Sequence, residues 1–383
     1  MPIYLDNAAS TRISDEVLAL MTEVMRTAWG NPSAQHPQGA AARAYIEQAR
    51  ARLLGALGDR EPIGDVVWTS GCSEANALAV LGAARVPGRE RARIVVSSIE
   101  HPAVGSVATA LGRAGGREIV VVAPDATGVL DPEAFGEAAV GAAVVAVVMV
   151  QNEIGVVQPI AAIAEAIRRR DAACHIHVDA AQAFGKIALD VATLGIDSLA
   201  IAGHKLHGPK GGGALWLRTG RELAPLWSGG GQQHGLRGGT QDAPGAAGLG
   251  LAAERAVAAL ATARARWLEF AQSVTARLSE RGVAFRRLVA DQRRVPHVLA
   301  LGFPGVPASG LRTVLASRGV YISTGSACAE RDSKPSAILE AIGLAPDAGM
   351  GRLSFGLDTR ADEVATATEL LADVALELGR RTS

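Results

Sequence analysis

The sequence of 383 residues lacks an excess of charge of either sign and has little cysteine. Lysine plus arginine and aspartate plus glutamate both total 38. A chain without excess positive charge does not have the electrostatic character of a protein whose main partner is nucleic acid or an anionic membrane. The three cysteines, Cys72, Cys174 and Cys328, form no Cys-x-x-Cys pair. Their odd number favours reduced thiols in the cytoplasm over a disulfide framework.

The sequence also has no long apolar run and no repeats. The longest uncharged apolar run, Ala138–Val150, has 13 residues and is too short to span a bilayer. The N-terminus has neither a basic stretch nor a long apolar one, so we expect no signal peptide. We find no internal repeat and no low-complexity linker. The length alone predicts two or three domains with a large core.

Apolar runs alternate with helical patterns through the first part of the chain. Several of the runs are continuous and rich in valine or isoleucine, as expected for strands that are buried on both faces. With helices between most of them, they predict an α/β domain around a mostly parallel seven-stranded sheet flanked by helices. The predicted strands are Asp65–Thr69, Arg93–Ser97, Glu118–Val122, Ala142–Val150, His175–Val178, Ser198–Ala202 and Ala214–Leu217.

The order of elements changes after this sheet. A long helical pattern, Ala243–Arg281, comes first, and strands and helices then follow in an α+β arrangement. We predict a large α/β domain over residues 14–250 and a smaller α+β domain made of residues 1–13 and 251–383. Ser14 is predicted to cap the first helix. The strands predicted in the smaller domain are His297–Leu301, Val320–Ser323 and Arg352–Gly356.

An amine and a carboxylate are predicted at the ends of two neighbouring strands. Lys205 follows Ser198–Ala202, and the eight residues after it include four glycines and a proline, which let the backbone turn sharply and approach a ligand. Asp179 ends the preceding strand, at the sheet edge where open α/β folds bind ligands. The pair suggests a pyridoxal phosphate site, in which the amine forms a Schiff base and the carboxylate keeps the pyridine nitrogen protonated. For Lys205 alone, a surface lysine beside a glycine-rich turn is the commoner interpretation.

Two other segments fit the same cofactor. Thr69–Glu74 joins a strand to a helix, and its Gly71 and Ser73 would offer N–H groups and a hydroxyl to a phosphate, although ordinary helix caps have the same pattern. His101 follows the second strand, where an imidazole could stack on the pyridine ring or serve a structural role. Gly229–Thr240 contains six glycines in twelve residues, which suggests backbone shaped around a phosphate or a facing subunit.

The remaining candidates are a metal-like cluster, a thiol and an arginine. Cys174–His177 resembles a metal ligand set, but residues 175 and 177 face one side of a strand and 174 and 176 the other. No second pair follows, so we expect no metal there. Cys328 lies on a loop rich in glycine and serine, where a nucleophilic thiolate could act, although most free cysteines are buried and inert. Arg352 could clamp a substrate carboxylate or be a surface residue.

Taken in order, these segments resemble the cysteine desulfurases of the NifS/IscS type, which are fold-type I pyridoxal phosphate enzymes of the class-V aminotransferase family. The resemblance extends over essentially the whole chain. Its motifs are YLDNAAST (Tyr4–Thr11), GNPSAQH (Gly30–His36), TSGCSEAN (Thr69–Asn76), EHPAV (Glu100–Val104), QNEIGVVQPI (Gln151–Ile160), HVDAAQAFGK (His177–Lys186), GHKLHGPKGGGAL (Gly203–Leu215), GGGQQHGLRGGT (Gly229–Thr240) and GSAC (Gly325–Cys328).

The resemblance implies a role for each site residue. Lys205 would carry the Schiff base, Asp179 would pair with the pyridine nitrogen, and Lys205, His101 and Cys328 would be the catalytic residues. Thr240 would reach the phosphate from the other subunit of a homodimer. The other residues implied to bind the cofactor are Cys72, Ser73, His101, Asn152, Gln182, Ala202, Gly203 and His204. Those implied to bind the substrate are Asn31, Asn152 and Arg352.

The implied reaction removes sulfur from L-cysteine and leaves L-alanine and a persulfide on Cys328. The sulfur would pass to an acceptor protein, in iron–sulfur cluster assembly, tRNA thiolation or DNA phosphorothioation. No resident metal is implied, although Cys328 could be a transient iron–sulfur ligand. No direct nucleic-acid or membrane partner is implied for this cytoplasmic enzyme. The sequence departs from the family pattern at Ala202, usually serine, Ser73, usually threonine, Gln151, usually asparagine, and His207, often tyrosine.

Two alternatives stay open at this point. A selenocysteine lyase, or another class-V lyase or aminotransferase, would keep Lys205 and Asp179 but would need no persulfide on Cys328. A scaffold protein with a degenerate site is the non-enzymatic alternative, and it would bind no cofactor. The presence of Lys205, Asp179, His101 and Cys328 together favours an enzyme.

Overall fold

The computed structural model describes residues 2–59, 61, 63–87, 91, 93–227, 229–325, 336–345 and 348–382. Its helices are α1 (Asp15–Thr27), α2 (Pro37–Ala56), α3 (Cys72–Ala84), α4 (Pro102–Arg113), α5 (Pro132–Ala138), α6 (Ile160–Arg170), α7 (Ala243–Glu280), α8 (Ala308–Ser317), α9 (Ala337–Ala341) and α10 (Ala361–Thr382). Its strands are β1 (Ile3–Tyr4), β2 (Gly64–Thr69), β3 (Arg93–Ser97), β4 (Glu118–Val122), β5 (Ala142–Val148), β6 (His175–Asp179), β7 (Ser198–Ala202), β8 (Gly213–Arg218), β9 (Arg286–Arg287), β10 (Val298–Phe303), β11 (Val320–Tyr321) and β12 (Gly349–Ser354). The Ser14 side chain accepts from the Val17 N–H and caps α1, as predicted.

One sheet contains seven of these strands, in the order β2-β8-β7-β6-β5-β3-β4. Strands β3 to β7 are parallel, and β8 is antiparallel to β2 and β7. All residues of β5 are buried, because apolar clusters lie on both faces of the sheet and leave no face for polar side chains. The prediction of a mostly parallel seven-stranded sheet is confirmed, and each of its seven predicted strands is present.

A second hydrophobic core lies around a smaller antiparallel sheet. There β10 pairs with β9 on one side and β12 on the other, while β1 pairs with β11 in a separate two-stranded sheet. Trp267, Phe303 and Phe355 are fully buried in this core, together with Leu5. Leu5 belongs to the segment before α1, residues 2–13, which we call the N-terminal arm. Side chains from α8 and α10 complete it. The N-terminal arm therefore crosses from the second core to the edge of the large sheet.

Helix α7 connects the two cores. Its N-terminal half packs on α1 and α2, and its C-terminal half contributes Trp267 and Phe270 to the second core. By length and composition, among the described residues, it is the helix that could cross a membrane, yet half of its most apolar window is buried inside the protein. Because both halves of α7 pack against other elements, its apolar residues are part of the hydrophobic cores.

The two cores are not fully separate along the chain. Leu288, Ile338 and Met350 belong to the same apolar cluster as the large sheet, although they lie beyond residue 250. The division at residues 13 and 250 remains a prediction. This shared packing brings β12 next to the residues that follow β5, where Arg352 of β12 donates to the Asn152 carbonyl oxygen.

Candidate active site

The predicted site residues meet at the carboxyl ends of β3, β5, β6 and β7. They line a cavity of about 530 Å³ that also includes residues of the N-terminal arm and of β12. This is the edge where parallel α/β sheets bind ligands. The predicted residues that line the cavity are Cys72, Ser73, His101, Asn152, Asp179, Gln182, Ala202, His204, Lys205 and Arg352.

Lys205 lies one turn beyond β7, and its amine is held by backbone of the N-terminal arm. Its Nζ donates to the carbonyl oxygens of Ala8, at 2.5 Å, and Ala9, at 2.6 Å. Burial, followed by the positive charge of Arg352, lowers the pKa of Lys205 to about 8. An amine with this pKa is partly neutral near physiological pH, as a nucleophile and proton acceptor must be.

Asp179 ends β6 and is surrounded by hydrogen-bond donors. Its Oδ2 accepts from Asn76 Nδ2 at 2.7 Å, and its Oδ1 accepts from the Ala181 N–H at 2.9 Å and from Cys72 Sγ at 3.5 Å. Burial, followed by the Asp179 charge, raises the pKa of Cys72 well above its ordinary value, so this thiol stays protonated. Because all three partners donate, the carboxylate is fixed as an acceptor at the cavity wall.

His101 precedes α4 and caps it. Its Nδ1 accepts from the Ala103 N–H at 3.1 Å, so in the neutral ring the hydrogen lies on Nε2. Burial, and to a lesser extent Lys205, lowers the pKa of His101 against the opposing effect of Asp179. The cap fixes the ring at the cavity, and its neutral form can contact an aromatic ligand.

The N-terminus of α3 opens on the cavity without a side-chain cap. Gly71 takes the N-cap position with φ 153°, and no side chain accepts from the first turn there, so its N–H groups can bind an anion. A Cβ on Gly213 would lie 2.5 Å from Gly71 backbone, which explains why glycine is needed at the close approach of β8 to this turn. Ser73 adds a hydroxyl at the cavity lining.

Arg352 reaches the cavity from β12 and is nearly fully buried. Its Nη1 donates to the Asn152 carbonyl oxygen at 2.7 Å, and its Nη2 donates to Asp6 Oδ1 at 2.7 Å. Its Nε is buried and, within the described part of the chain, has no hydrogen-bond partner. A nearly buried guanidinium that lines the cavity fits a carboxylate ligand.

Gln182 and His204 complete the lining. Gln182 Nε2 donates to the Ala8 carbonyl oxygen at 2.7 Å, and His204 Nδ1 lies 3.3 Å from Ser10 Oγ. Burial, followed by Lys205 and Lys210, lowers the pKa of His204 to about 4, so its ring is neutral. Neutral polar groups at this edge can serve as hydrogen-bond partners of a phosphate or a ring hydroxyl.

Three predicted residues do not line this cavity, and a fourth lies outside the described part of the chain. Asn31 is exposed, with its Oδ1 accepting from the Ser33 N–H, and Thr240 is exposed as well. Gly203 is buried beside the lining. Cys328, the predicted nucleophile, lies outside the described residues. The functional roles given to these residues stay predictions.

Sequence reasoning missed the backbone of the arm, Lys210 and Glu100. Ala8 and Ala9 hold the Lys205 amine, and Lys210 lines the same cavity. Glu100 adjoins His101 and is half-buried, with its Oε1 accepting from Ser97 Oγ and the Val148 N–H. The motifs containing Ala8, Ala9 and Glu100 were recognised as family segments, so that resemblance was the available signal.

Glu100 gives a prediction about stability and pH. Its Oε2 is buried without a partner among the residues described, and burial raises its pKa from 4.5 to about 8. The unfolded chain loses this proton at lower pH than the folded protein. The contribution of Glu100 to the free energy of unfolding therefore falls as pH rises from 4.5 to about 8,. We expect the melting temperature of the Glu100→Gln variant to fall less than that of the wild type over the same pH range. Equal falls in the two proteins would contradict this.

This set of groups fits pyridoxal phosphate. The lysine amine can bond the aldehyde, the carboxylate can accept from the ring nitrogen, and the uncapped α3 N-terminus can bind the phosphate. The cavity volume of about 530 Å³ lies in the range of cofactor sites. Among the described residues there is no group of three or more histidine, cysteine, aspartate or glutamate side chains that could hold a metal ion.

Comparison with known proteins gives consistent results. The aminotransferase class-V family model matches residues 3–366. A putative cysteine desulfurase IscS 1 of Bacillus subtilis is 35% identical over 380 residues, which are 98% of this chain and 99% of the relative. A cysteine desulfurase of Sinorhizobium fredii is 36% identical over 93% of this chain and 91% of its own.

Solved structures agree with the sequence relatives. A NifS-like protein superposes with a TM-score of 0.90 at 28% identity, covering 98% of this chain and all of its own. A structure of SspA in complex with cysteine has a TM-score of 0.79 at 33% identity, covering 92% and 98% of the two chains. With its family model matched over nearly its whole length, this chain belongs to the class-V aminotransferase family, whose members are pyridoxal phosphate enzymes of fold type I.

Proposed function

We propose that this protein is a pyridoxal phosphate-dependent cysteine desulfurase, which removes sulfur from L-cysteine and releases L-alanine. The observation that carries the proposal is the convergence of Lys205, Asp179 and Arg352 on one cavity. An amine, an acceptor carboxylate and a carboxylate-binding guanidinium are the groups that a cofactor-dependent reaction of an amino acid requires. The names of its relatives and the cysteine complex of SspA support the same substrate.

The cofactor would be held by residues of three elements. When bound, pyridoxal phosphate supplies an aldehyde that captures the amino group and a ring that takes up electrons from the substrate. Lys205 would tether it, Asp179 would accept from its ring nitrogen, and the first turn of α3 would bind its phosphate. His101 and Gln182 would contact the ring and its oxygen. Thr240 of a second subunit would add a phosphate contact, so we also propose a homodimer.

The substrate would be positioned by its carboxylate and its proton moved by Lys205. Arg352 would bind the carboxylate, with Asn152 and Asn31 as the other proposed contacts. The Lys205 amine, once released from its tether, would take the Cα proton, because its pKa of about 8 leaves part of it neutral at physiological pH,. The carbonyl oxygens of Ala8 and Ala9 hold the free amine in this structure, and they would hold it in the same place once the amine is released from the cofactor.

Sulfur transfer is assigned to Cys328. Its thiolate would attack the substrate sulfur, so that an S–S bond forms, the carbon–sulfur bond breaks, and the electron pair stays with the carbon fragment. Protonation of that fragment gives alanine, and the sulfur remains as a persulfide on Cys328 for an acceptor protein. Iron–sulfur cluster assembly, tRNA thiolation and DNA phosphorothioation are acceptor pathways of this chemistry. A thiolate nucleophile favours the reducing cytoplasm as its location.

The products of L-cysteine with and without Cys328 test this proposal. We expect wild type with a dithiol reductant to release sulfide and alanine in equal amounts, and Cys328→Ser to lose both about 100-fold while keeping the visible absorption of bound cofactor. The loss stays finite because the reductant can replace the Cys328 thiolate, without the advantage of its position in the chain. Sulfide with pyruvate in place of alanine, or full activity of Cys328→Ser, would indicate a lyase. Cys174→Ser is the matched control, because Cys174 is buried in the core just before β6.

A further inference from the structure

A series of hydrogen bonds leads from Asp179 into the buried interior. Asn76 Nδ2 lies 2.7 Å from Asp179 Oδ2, and Asn76 Oδ1 lies 2.9 Å from His177 Nε2. His177 Nδ1 lies 2.9 Å from Ser198 Oγ, which in turn lies 2.8 Å from His175 Nε2. His177 and Ser198 are fully buried, and Asn76 is 1% exposed. We call Asn76, His177, Ser198 and His175 the Asp179 hydrogen-bond chain.

The sequence places these residues together through strand alternation. His175, His177 and Asp179 are every second residue of β6, so their side chains leave the same face of the sheet,. Ser198 is the residue of β7 that pairs with His177. Asn76 lies one helical turn after Cys72, on the helix that covers this face. The two histidines that resembled metal ligands in the sequence thus bond Ser198 and Asn76 instead.

The chemistry of the groups sets the direction of each hydrogen bond. The Asp179 carboxylate accepts, so the amide group of Asn76 faces it and the Asn76 carbonyl oxygen must accept from His177 Nε2–H. Burial, and then His175, lowers the pKa of His177 to about 3, so its ring is neutral and its Nδ1 carries no hydrogen. Ser198 must give its single hydrogen to His177 and accept from His175 Nε2–H. Each hydrogen bond of the Asp179 hydrogen-bond chain is therefore donated in the direction of Asp179.

We propose that the Asp179 hydrogen-bond chain positions the Asp179 carboxylate as the acceptor for the ring nitrogen of the cofactor. A buried network whose members are all satisfied holds its groups in one arrangement, whereas a break leaves two buried groups without partners. Asn76 lines the cavity, and the other three residues act through it as positioning residues. The proposal rests on the proposed function only for the identity of the cofactor.

The first experiment measures the hydrogen position on His177 in the apoprotein. Nitrogen-15 labelling of histidine, with His177→Gln used to assign the signal, reports which ring nitrogen carries the hydrogen. We expect the Nε2–H form, neutral throughout the pH range in which the protein is folded. The Nδ1–H form would reverse every hydrogen bond of the chain and overturn the proposal. This result needs no substrate, so it does not depend on the desulfurase activity.

The second experiment measures the equilibrium affinity of the apoprotein for pyridoxal phosphate. We expect Ser198→Ala, which removes a hydroxyl that contacts no cofactor, to weaken binding about 3- to 10-fold, the effect of one buried hydrogen bond. Asn76→Leu should weaken it further. The two changes interrupt the same series of hydrogen bonds. The double variant should therefore lose no more affinity for the cofactor than Asn76→Leu alone. The pH dependence of cofactor absorption should shift in the same variants, because Asp179 would hold the ring-nitrogen proton less firmly.

Thr368→Val provides the matched control. Thr368 is a buried hydroxyl of α10 that donates to the Val364 carbonyl oxygen, so its removal costs a hydrogen bond far from the sheet edge. It should change the melting temperature and leave cofactor affinity unchanged. If Ser198→Ala behaves like Thr368→Val, or if the effects of Ser198→Ala and Asn76→Leu simply add, the chain has only a structural role and the proposal is wrong. Wild-type protein that binds the cofactor but releases no sulfide from L-cysteine would instead count against the proposed function.

Discussion

Replacing Lys205 with alanine is expected to lower kcat for alanine formation from L-cysteine by about 10⁴-fold, the upper end of what one acid–base group contributes. The variant loses both the tether for the cofactor and the base for the Cα proton. The carbonyl oxygens of Ala8 and Ala9, which hold the amine in the wild type, would remain at the cavity. Borohydride should fix the cofactor covalently to the wild type and leave it removable from Lys205→Ala.

Lys205→Arg is the control that separates charge from reactivity. Arginine keeps the positive charge at this position but does not lose its proton in proteins, so it can serve neither as nucleophile nor as base. We expect it to be as inactive as Lys205→Ala. A small primary amine added to the solution should restore part of the activity of the alanine variant, because truncation leaves room for it, and should not help the arginine variant. Activity of either variant within tenfold of the wild type would contradict the role of Lys205.

The large sheet could be predicted because its strands carry a strong local signal. Ser198–Ala202 and Arg93–Ser97 are short apolar runs, and the structure has strands with the same bounds. β9 was missed, since its two arginines have no apolar pattern and become a strand only by pairing with β10. β12 begins at Gly349, earlier than predicted. A Cβ there would lie 2.2 Å from the Val306 carbonyl oxygen, so glycine marks a close contact that a pattern of apolar residues cannot reveal.

The side chains of the site could be predicted from the sequence, but its backbone contacts could not. Lys205, Asp179 and His101 follow strands, and strand ends of a parallel sheet meet at one edge. The contacts of the Lys205 amine could not be predicted, because they are backbone carbonyl groups nearly 200 residues away and alanine carries no sign of them. The protonated state of Glu100 likewise depends on burial, which only the assembled fold determines.

Asp179→Asn is expected to lower kcat about 10³- to 10⁴-fold, since exchanging a buried, orienting carboxylate for an amide has costs of this order elsewhere. The amide is neutral and has one oxygen in place of two. It cannot accept from both Asn76 Nδ2 and the Ala181 N–H and still accept from the ring nitrogen at full strength. Without the negative charge the ring nitrogen loses its proton more easily, and the ring then takes up electrons less well.

The measurement is steady-state alanine formation at saturating L-cysteine, with cofactor content checked for each protein. Asp197→Asn is the matched control, because Asp197 is a fully buried aspartate at the opposite end of the sheet, where it pairs with Arg168 and Arg221. Its loss should lower the melting temperature, since buried ion pairs are costly to break, while kcat stays within a few-fold of the wild type. If the two variants lose kcat equally, the effect of Asp179→Asn comes from general destabilisation. If Asp179→Asn alone loses kcat, the carboxylate acts on the cofactor ring, because burial and residue type are the same in both.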